Sequence, residues 1–183
     1  MEKRKTNIEK ILRGLLWMLV MAGLAVAFLV SANRVPSLAQ KGFARQYDTI
    51  DEAKRSLGFD PVLVPAYFPE GITWPPSFIL AQQKPYQAVV MEFRETKTRE
   101  TALIVIQSSS TGSDAQLQRI RLSEVTEETS YRLKGKNVLL QVGICDNGKS
   151  CSRMTWRDGN LRCTIVLLSS PFELITIAES MIR

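Results

Sequence analysis

The stretch Thr155 to Ser169, TWRDGNLRCTIVLLS, decides the fold, because it sets two alternating runs on either side of Asp158-Gly159. An Asp-Gly pair between such runs is a strong short-range hairpin signal. Centring the turn there pairs Arg157 with Asn160, Trp156 with Leu161 and Met154 with Cys163. Leu161, Cys163, Ile165 and Leu167 then form one apolar stripe, while Asn160, Arg162 and Thr164 face away. Strand side chains alternate between the two sheet faces, so this stripe identifies the core side.

Working outward, a loop over Asp146 to Ser150 sets Cys145 opposite Cys151, Val142 opposite Met154 and Leu140 opposite Trp156. A Gly135-Lys136 turn adds Leu133 opposite Val138 and Tyr131 opposite Leu140. These apolar side chains share one face, and a slip of one residue would scatter them. The spacing predicts an antiparallel meander over 129–134, 137–145, 151–157 and 160–168. Three cysteines allow three pairings. The register puts Cys145 and Cys151 together on the outer face and turns Cys163 inward, so the expected disulfide is Cys145 to Cys151.

The chain after the meander, Ser170-Pro171-Phe172-Glu173, combines an N-cap Ser, Pro at the first helical position and Glu at the third. Leu174, Ile177, Ala178 and Met181 follow at helical spacing. Laid on the meander, this helix gives a two-layer α+β domain in which Trp156, Leu140, Leu161, Cys163, Leu174, Ile177 and Met181 form the core.

Upstream, AVVMEFR (88–94) and ALIVIQS (102–108) read as a hairpin with one face in the core. Glu92, Glu95, Lys97, Arg99 and Glu100 read as its solvated tip. Residues 109–128 read as a Ser/Thr/Gly loop followed, over Asp114 to Leu122, by a short amphipathic turn or helix. Thr49-Ile50-Asp51-Glu52 is a capping box, predicting a helix over 50–57 that stops at Gly58. Pro61, Pro65 and Pro69 forbid helix from Phe59 to Gly71 and favour extended chain closing in a turn at Glu70-Gly71. Trp74-Pro75-Pro76, with Tyr67 and Phe68, is either an exposed aromatic partner surface or a loop folded over the sheet.

At the other end of the chain, Gly14 to Ala32 (GLLWMLVMAGLAVAFLVSA) holds no charge. As a helix it would rise about 28 Å, close to one hydrocarbon thickness. Lys3, Arg4, Lys5, Lys10 and Arg13 precede it, which predicts a cytoplasmic tip over 1–13 and everything after the span outside. The run exceeds the usual signal-peptide core, so a retained signal anchor is expected. The alternative is a secreted domain released after Ala39, since Ser37-Leu38-Ala39 has the small residues of a cleavage site. Residues 33–46 then read as a linker, and 47–183 as the extracytoplasmic domain.

Of the net charge of +6, the basic tip and Arg34 supply all but a small excess, so it is mostly a topology signal and does not imply nucleic acid as a partner. Histidine is absent, which removes the commonest general base and the commonest zinc ligand. No nucleophile, base and orienting group converge, and no metal or cofactor is expected. The reading is therefore of a chain that is not an enzyme.

VPAYFPEG (Val64 to Gly71), the strand segments MEF and LIVIQ, TWRDGNLRCTIVLLS, and FELITIAESM (Phe172 to Met181) together resemble a bacterial family of unknown function. That family resembles the extracytoplasmic C-terminal domain of single-pass membrane proteins, some of them anti-sigma-like or sporulation proteins. The Phe-Pro-x-Gly turn and the closing Ile-Ala-Glu-Ser are also similar to the C-terminal domain of a periplasmic sigma-factor regulator. Arg162-Cys163 and the Cys145/Cys151 pair depart from the family pattern. The resemblance implies a membrane-anchored binding or sensor module with a protein or lipid ligand in the envelope. A structural or docking component of an envelope or sporulation complex is the other function left open.

Overall fold

The computed structural model of the protein describes residues 17, 18, 21, 44–57, 62–109, 117, 119–169 and 171–182. Trp17, Met18 and Met21 are helical; the rest of the expected span over 14–32, and the cleavage site after Ala39, lie outside the described residues. Among the described residues no helix is long and apolar enough to cross a membrane.

The unit Phe43–Arg183 is an α+β structure built on a single 8-stranded sheet. The strands are β1 (Ala44–Tyr47), β2 (Phe78–Gln82), β3 (Ala88–Arg94), β4 (Thr101–Ser108), β5 (Leu122–Leu133), β6 (Lys136–Cys145), β7 (Ser150–Asp158) and β8 (Leu161–Leu167). All neighbours are antiparallel, in the order β1-β2-β3-β4-β8-β7-β6-β5. Helix α1 is Ile50–Leu57 and α2 is Pro171–Met181. The Thr49 hydroxyl accepts from the Glu52 N–H at 3.2 Å, which is the capping bond the sequence predicts.

Both helices cover the same sheet face. Ala53 and Leu57 of α1, and Leu174, Ile177, Ala178 and Met181 of α2, join Ile79, Met91, Phe93, Leu103, Val105, Val138, Met154, Trp156, Cys163, Ile165 and Leu167 in one core. Trp156 is 2% exposed and central to it, as expected. Leu140 and Leu161 sit only partly buried against this core. The residues opposite Trp156 are Val138 and Cys163, not the Leu140 and Leu161 of the sequence reading.

That difference is systematic and has a physical cause. Each of the three meander hairpins pairs two residues away from its predicted register: Arg157 with Arg162, Gly143 with Cys151, and Leu133 with Lys136. The first turn is Lys134-Gly135, both at positive φ (48° and 82°), and the last is Gly159-Asn160 with Gly159 at φ 60°. Lys136 and Asp158, placed in turns by the sequence, are strand residues, and their Nζ and Oδ1 meet at 2.7 Å across β6 and β7. A shift of two keeps every side chain on its own face, so the core was identified correctly with the wrong partners.

Other expectations need correction. Ala44–Tyr47 falls almost wholly in the presumed linker, yet it pairs with β2 over Tyr47 to Ile79, and neither strand was foreseen. β5 begins at Leu122 and not at residue 129, so strand replaces residues 122–128 of the expected loop, while most of the turn or helix expected over 114–122 lies outside the described residues. The β3–β4 hairpin is buried on both faces. Val90, Ile104, Ile106 and Val166 form a second, smaller core with Leu122, Cys145 and Cys151 on the face away from the helices, packed by Leu117 and Ile120. Glu92 belongs to that buried face at 3% exposure, not to the solvated tip.

Candidate anion-binding face

The helix-free face is packed by Leu117 and Ile120 over the second core. Over β5, β6, β7 and β8 it carries polar side chains in cross-strand rows. One row contains Arg132 and Asn137, which pair, and Arg157, one step beyond the Val138–Trp156 pair, followed by Arg162 opposite Arg157. The next row contains Ser130 paired with Leu139, then Thr155 and Thr164. The third contains Glu128, Gln141, Arg153 and Val166.

The third row is internally satisfied. Gln141 Nε2 donates to Glu128 Oε2 at 2.5 Å, and Arg153 Nε and Nη2 donate to Gln141 Oε1 at 2.8 and 2.5 Å. Burial, followed by the like charge of Arg162, holds the Arg153 guanidinium below its ordinary value, with Glu128 opposing. In the middle row the Thr155 and Thr164 hydroxyl oxygens stand 3.3 Å apart. The first row carries three arginines, Arg132 on β5, Arg157 on β7 and Arg162 on β8, and Arg157 and Arg162 lie directly opposite each other.

A depression of about 620 Å3 opens on this face, lined by Ser130, Asn137, Leu139, Thr155, Arg157 and Arg162 among others. Its floor offers hydroxyls, an amide and guanidinium forks, the groups that recognise an anion bearing hydroxyls. The sequence reading turned Arg162 and Thr164 away from the core but drew no function from them. The signal that would have found the site is the same-face spacing Arg153, Thr155, Arg157 on β7, answered by Arg162 and Thr164 on β8.

The residues singled out from sequence lie elsewhere. Trp74 is 55% and Tyr67 42% exposed. Phe68 packs at 5.5 Å from Trp74 and 5.0 Å from Phe93, and Trp74 stacks on Phe93 at 6.2 Å. The two alternatives therefore both hold in part: the loop folds over the sheet through Phe68 and leaves Trp74 and Tyr67 outward. Cys145 and Cys151 form a disulfide with sulfurs 2.06 Å apart, on the face away from the helices and buried. Cys163 is free and buried, and burial pushes its thiol up to about 12, which leaves no thiolate for chemistry near neutrality.

Among the described residues Glu92 is the one carboxylate that is buried. Its Oε1 lies 3.6 Å from Arg119 Nε, and the Arg119 guanidinium sits 4.0 Å over the Phe78 ring. Thr101 Oγ1 donates to Glu92 Oε2 at 3.4 Å. Burial raises the Glu92 carboxyl above its usual 4.5, with Arg119 pulling the other way. A second, smaller cleft of about 160 Å3 is lined by Glu70, Glu95, Glu100, Lys149 and Glu173. Lys149 is already paired with Glu100 there. Among the described residues no group of His, Cys, Asp or Glu is arranged to hold a metal. Comparison with protein-family models, with curated proteins and with solved structures finds no match.

Proposed function

We propose that the chain is a binding module held at a membrane by Gly14 to Ala32, with its sheet domain on the outer side and its ligand on the arginine-bearing face. The observation that carries this reading is the row of Arg132 on β5, Asn137 on β6, Arg157 on β7 and Arg162 on β8, on the face that carries the depression. Membrane attachment is supported by the uncharged run and the basic residues before it. Export is supported by the Cys145–Cys151 disulfide, a bond that persists in oxidising compartments. On this reading the module binds its ligand through the hydroxyls, amide and guanidinium groups of that face.

Retention of the full chain, in neutral detergent, on immobilised dextran sulfate tests the reading. Arg157→Gln with Arg162→Gln should elute at lower salt, whereas Lys97→Gln with Arg99→Gln, the same loss of charge at the β3–β4 tip, should elute as the wild type does. Equal shifts for the two variants would reduce the effect to net charge and remove the site. A docking component of an envelope complex is the second reading, favoured by the outward Trp74 and Tyr67.

A further inference from the structure

We infer that the chain forms a two-fold dimer in which β5 of one copy pairs antiparallel with β5 of another, joining the two sheets edge to edge. β5 is the last strand of the sheet, so one side of its backbone has no strand beside it among the described residues. Ser123 to Ser130 are all exposed, as is Arg132. The edge is regular from Glu127 to Leu133: the register shifts at Leu122/Glu124 and Val125/Glu127 end it on one side, and the Lys134-Gly135 turn ends it on the other. Ser130 is the midpoint of that stretch. Leu133 and Lys136 flank a two-residue turn and so exchange both ladder bonds, and the alternation along the strand then turns the N–H and C=O of Arg132, Ser130 and Glu128 outward. An exposed edge of this kind is a template for another strand.

The charges on this edge select the occupant and the register. Glu128 and Arg132 stand at equal distances on either side of Ser130. A two-fold axis through Ser130 therefore sets Glu128 opposite the partner's Arg132, and Arg132 opposite the partner's Glu128. Opposite charges facing across a strand pair stabilise it, and like charges destabilise it. An axis through Glu128 or through Arg132 would set like charges together and shorten the overlap. The axis at Ser130 pairs the whole regular stretch with itself and joins outward-facing backbone groups to outward-facing ones. On the helix side of the sheet it sets Thr129 against the partner's Tyr131, a β-branched side chain beside a half-buried ring. Gln141 occupies Oε2 of Glu128, which leaves Oε1 for a guanidinium. Arg132 has no ion pair of its own among the described residues. Charges that only guarded the edge would be of one sign; here both signs occur at symmetric positions. The contact goes beyond the anion-binding reading and holds whether or not that face takes a ligand.

The test is sedimentation of the full chain in neutral, density-matched detergent, with and without charge reversal on the edge. The wild type should be dimeric. Arg132→Glu and Glu128→Arg should each weaken the dimer at least tenfold. An equimolar mixture of the two variants should dimerise again, since one copy then carries only carboxylates at the two positions and the other only guanidiniums. Ser130→Cys adds a measurement that changes no charge and stands even if a reversal unfolds the domain. Directly opposed strand residues lie about 5.5 Å apart at Cα, within the reach of a disulfide. Mild oxidation should therefore give a covalent dimer through position 130, identified by peptide mapping, whereas Thr98→Cys at the β3–β4 tip should stay monomeric in covalent terms. A monomeric wild type, a dimer that withstands both reversals, or cross-linking no greater at position 130 than at position 98 would overturn the pairing.

Discussion

Leu63 and Gln107 hold each other across the core through two hydrogen bonds. The Leu63 N–H donates to Gln107 Oε1 at 2.7 Å, and Gln107 Nε2 donates to the Leu63 carbonyl at 2.5 Å. Leu63 lies in no strand of the sheet, so a fully buried side-chain amide on β4 satisfies its backbone groups instead. Gln107→Leu keeps the volume and orphans both Leu63 groups. The variant should lose on the order of 3 kcal/mol in denaturant melts, and a loss under about 0.5 kcal/mol would mean the segment finds other partners.

Gly143 lies where the irregular β5 crosses closest to β6. A Cβ there would stand 1.8 Å from the Glu124 carbonyl oxygen and 3.1 Å from the Val125 Cα. The register shifts at Leu122/Glu124 and Val125/Glu127 are the same feature seen from β5. Gly143→Ala should therefore cost about 1 to 3 kcal/mol, with faster hydrogen exchange confined to the first half of β5. A neutral substitution would show that the bulge can move aside.

Trp156 gives a graded test of the main core. Trp156→Ala removes a fully buried ring beneath α2 and should cost about 3 to 5 kcal/mol. Its indole Nε1 has no hydrogen-bond partner, so Trp156→Phe deletes a donor that contributes nothing and should cost less than half as much. Equal losses for the two would place the hydrogen bond, not the ring, at the centre of that role.

Glu92 makes stability depend on pH. Its folded-state carboxyl is raised above 4.5 by burial, so the native state holds the proton more tightly than the unfolded one. The stabilisation from the protonated form is fully present below about 4.5 and is lost as pH rises through the higher native value. Glu92→Gln should therefore gain relative to the wild type as pH rises from 4.5 to 7. Thermal melts across that range check it, and a constant difference would contradict the shift.

The faces of the meander were legible in the sequence because Trp156, Cys163, Ile165 and Leu167 alternate, and alternation survives an even error in register. The pairings were not legible: Asp158-Gly159 and Gly135-Lys136 resemble turn centres, and the bond between Lys136 and Asp158 that draws them into strands spans two hairpins. β1 escaped notice because ARQY is polar and edge-lying. Glu92 read as solvated because its cover, Arg119 on Phe78, comes from a distant part of the chain. The arginine face was legible as the same-face spacing of Arg153, Thr155 and Arg157, and went unread because the predicted register set Arg157 opposite Asn160 and not Arg162.

The most direct test of the arginine face is amide hydrogen exchange of the full chain with and without soluble dextran sulfate. Slower exchange should appear over 155–164, the β7–β8 hairpin that carries Thr155, Arg157 and Arg162, with the 95–101 tip and the 67–74 loop unchanged. Protection centred on Tyr67 to Trp74, or none at the hairpin with ligand bound, would contradict it.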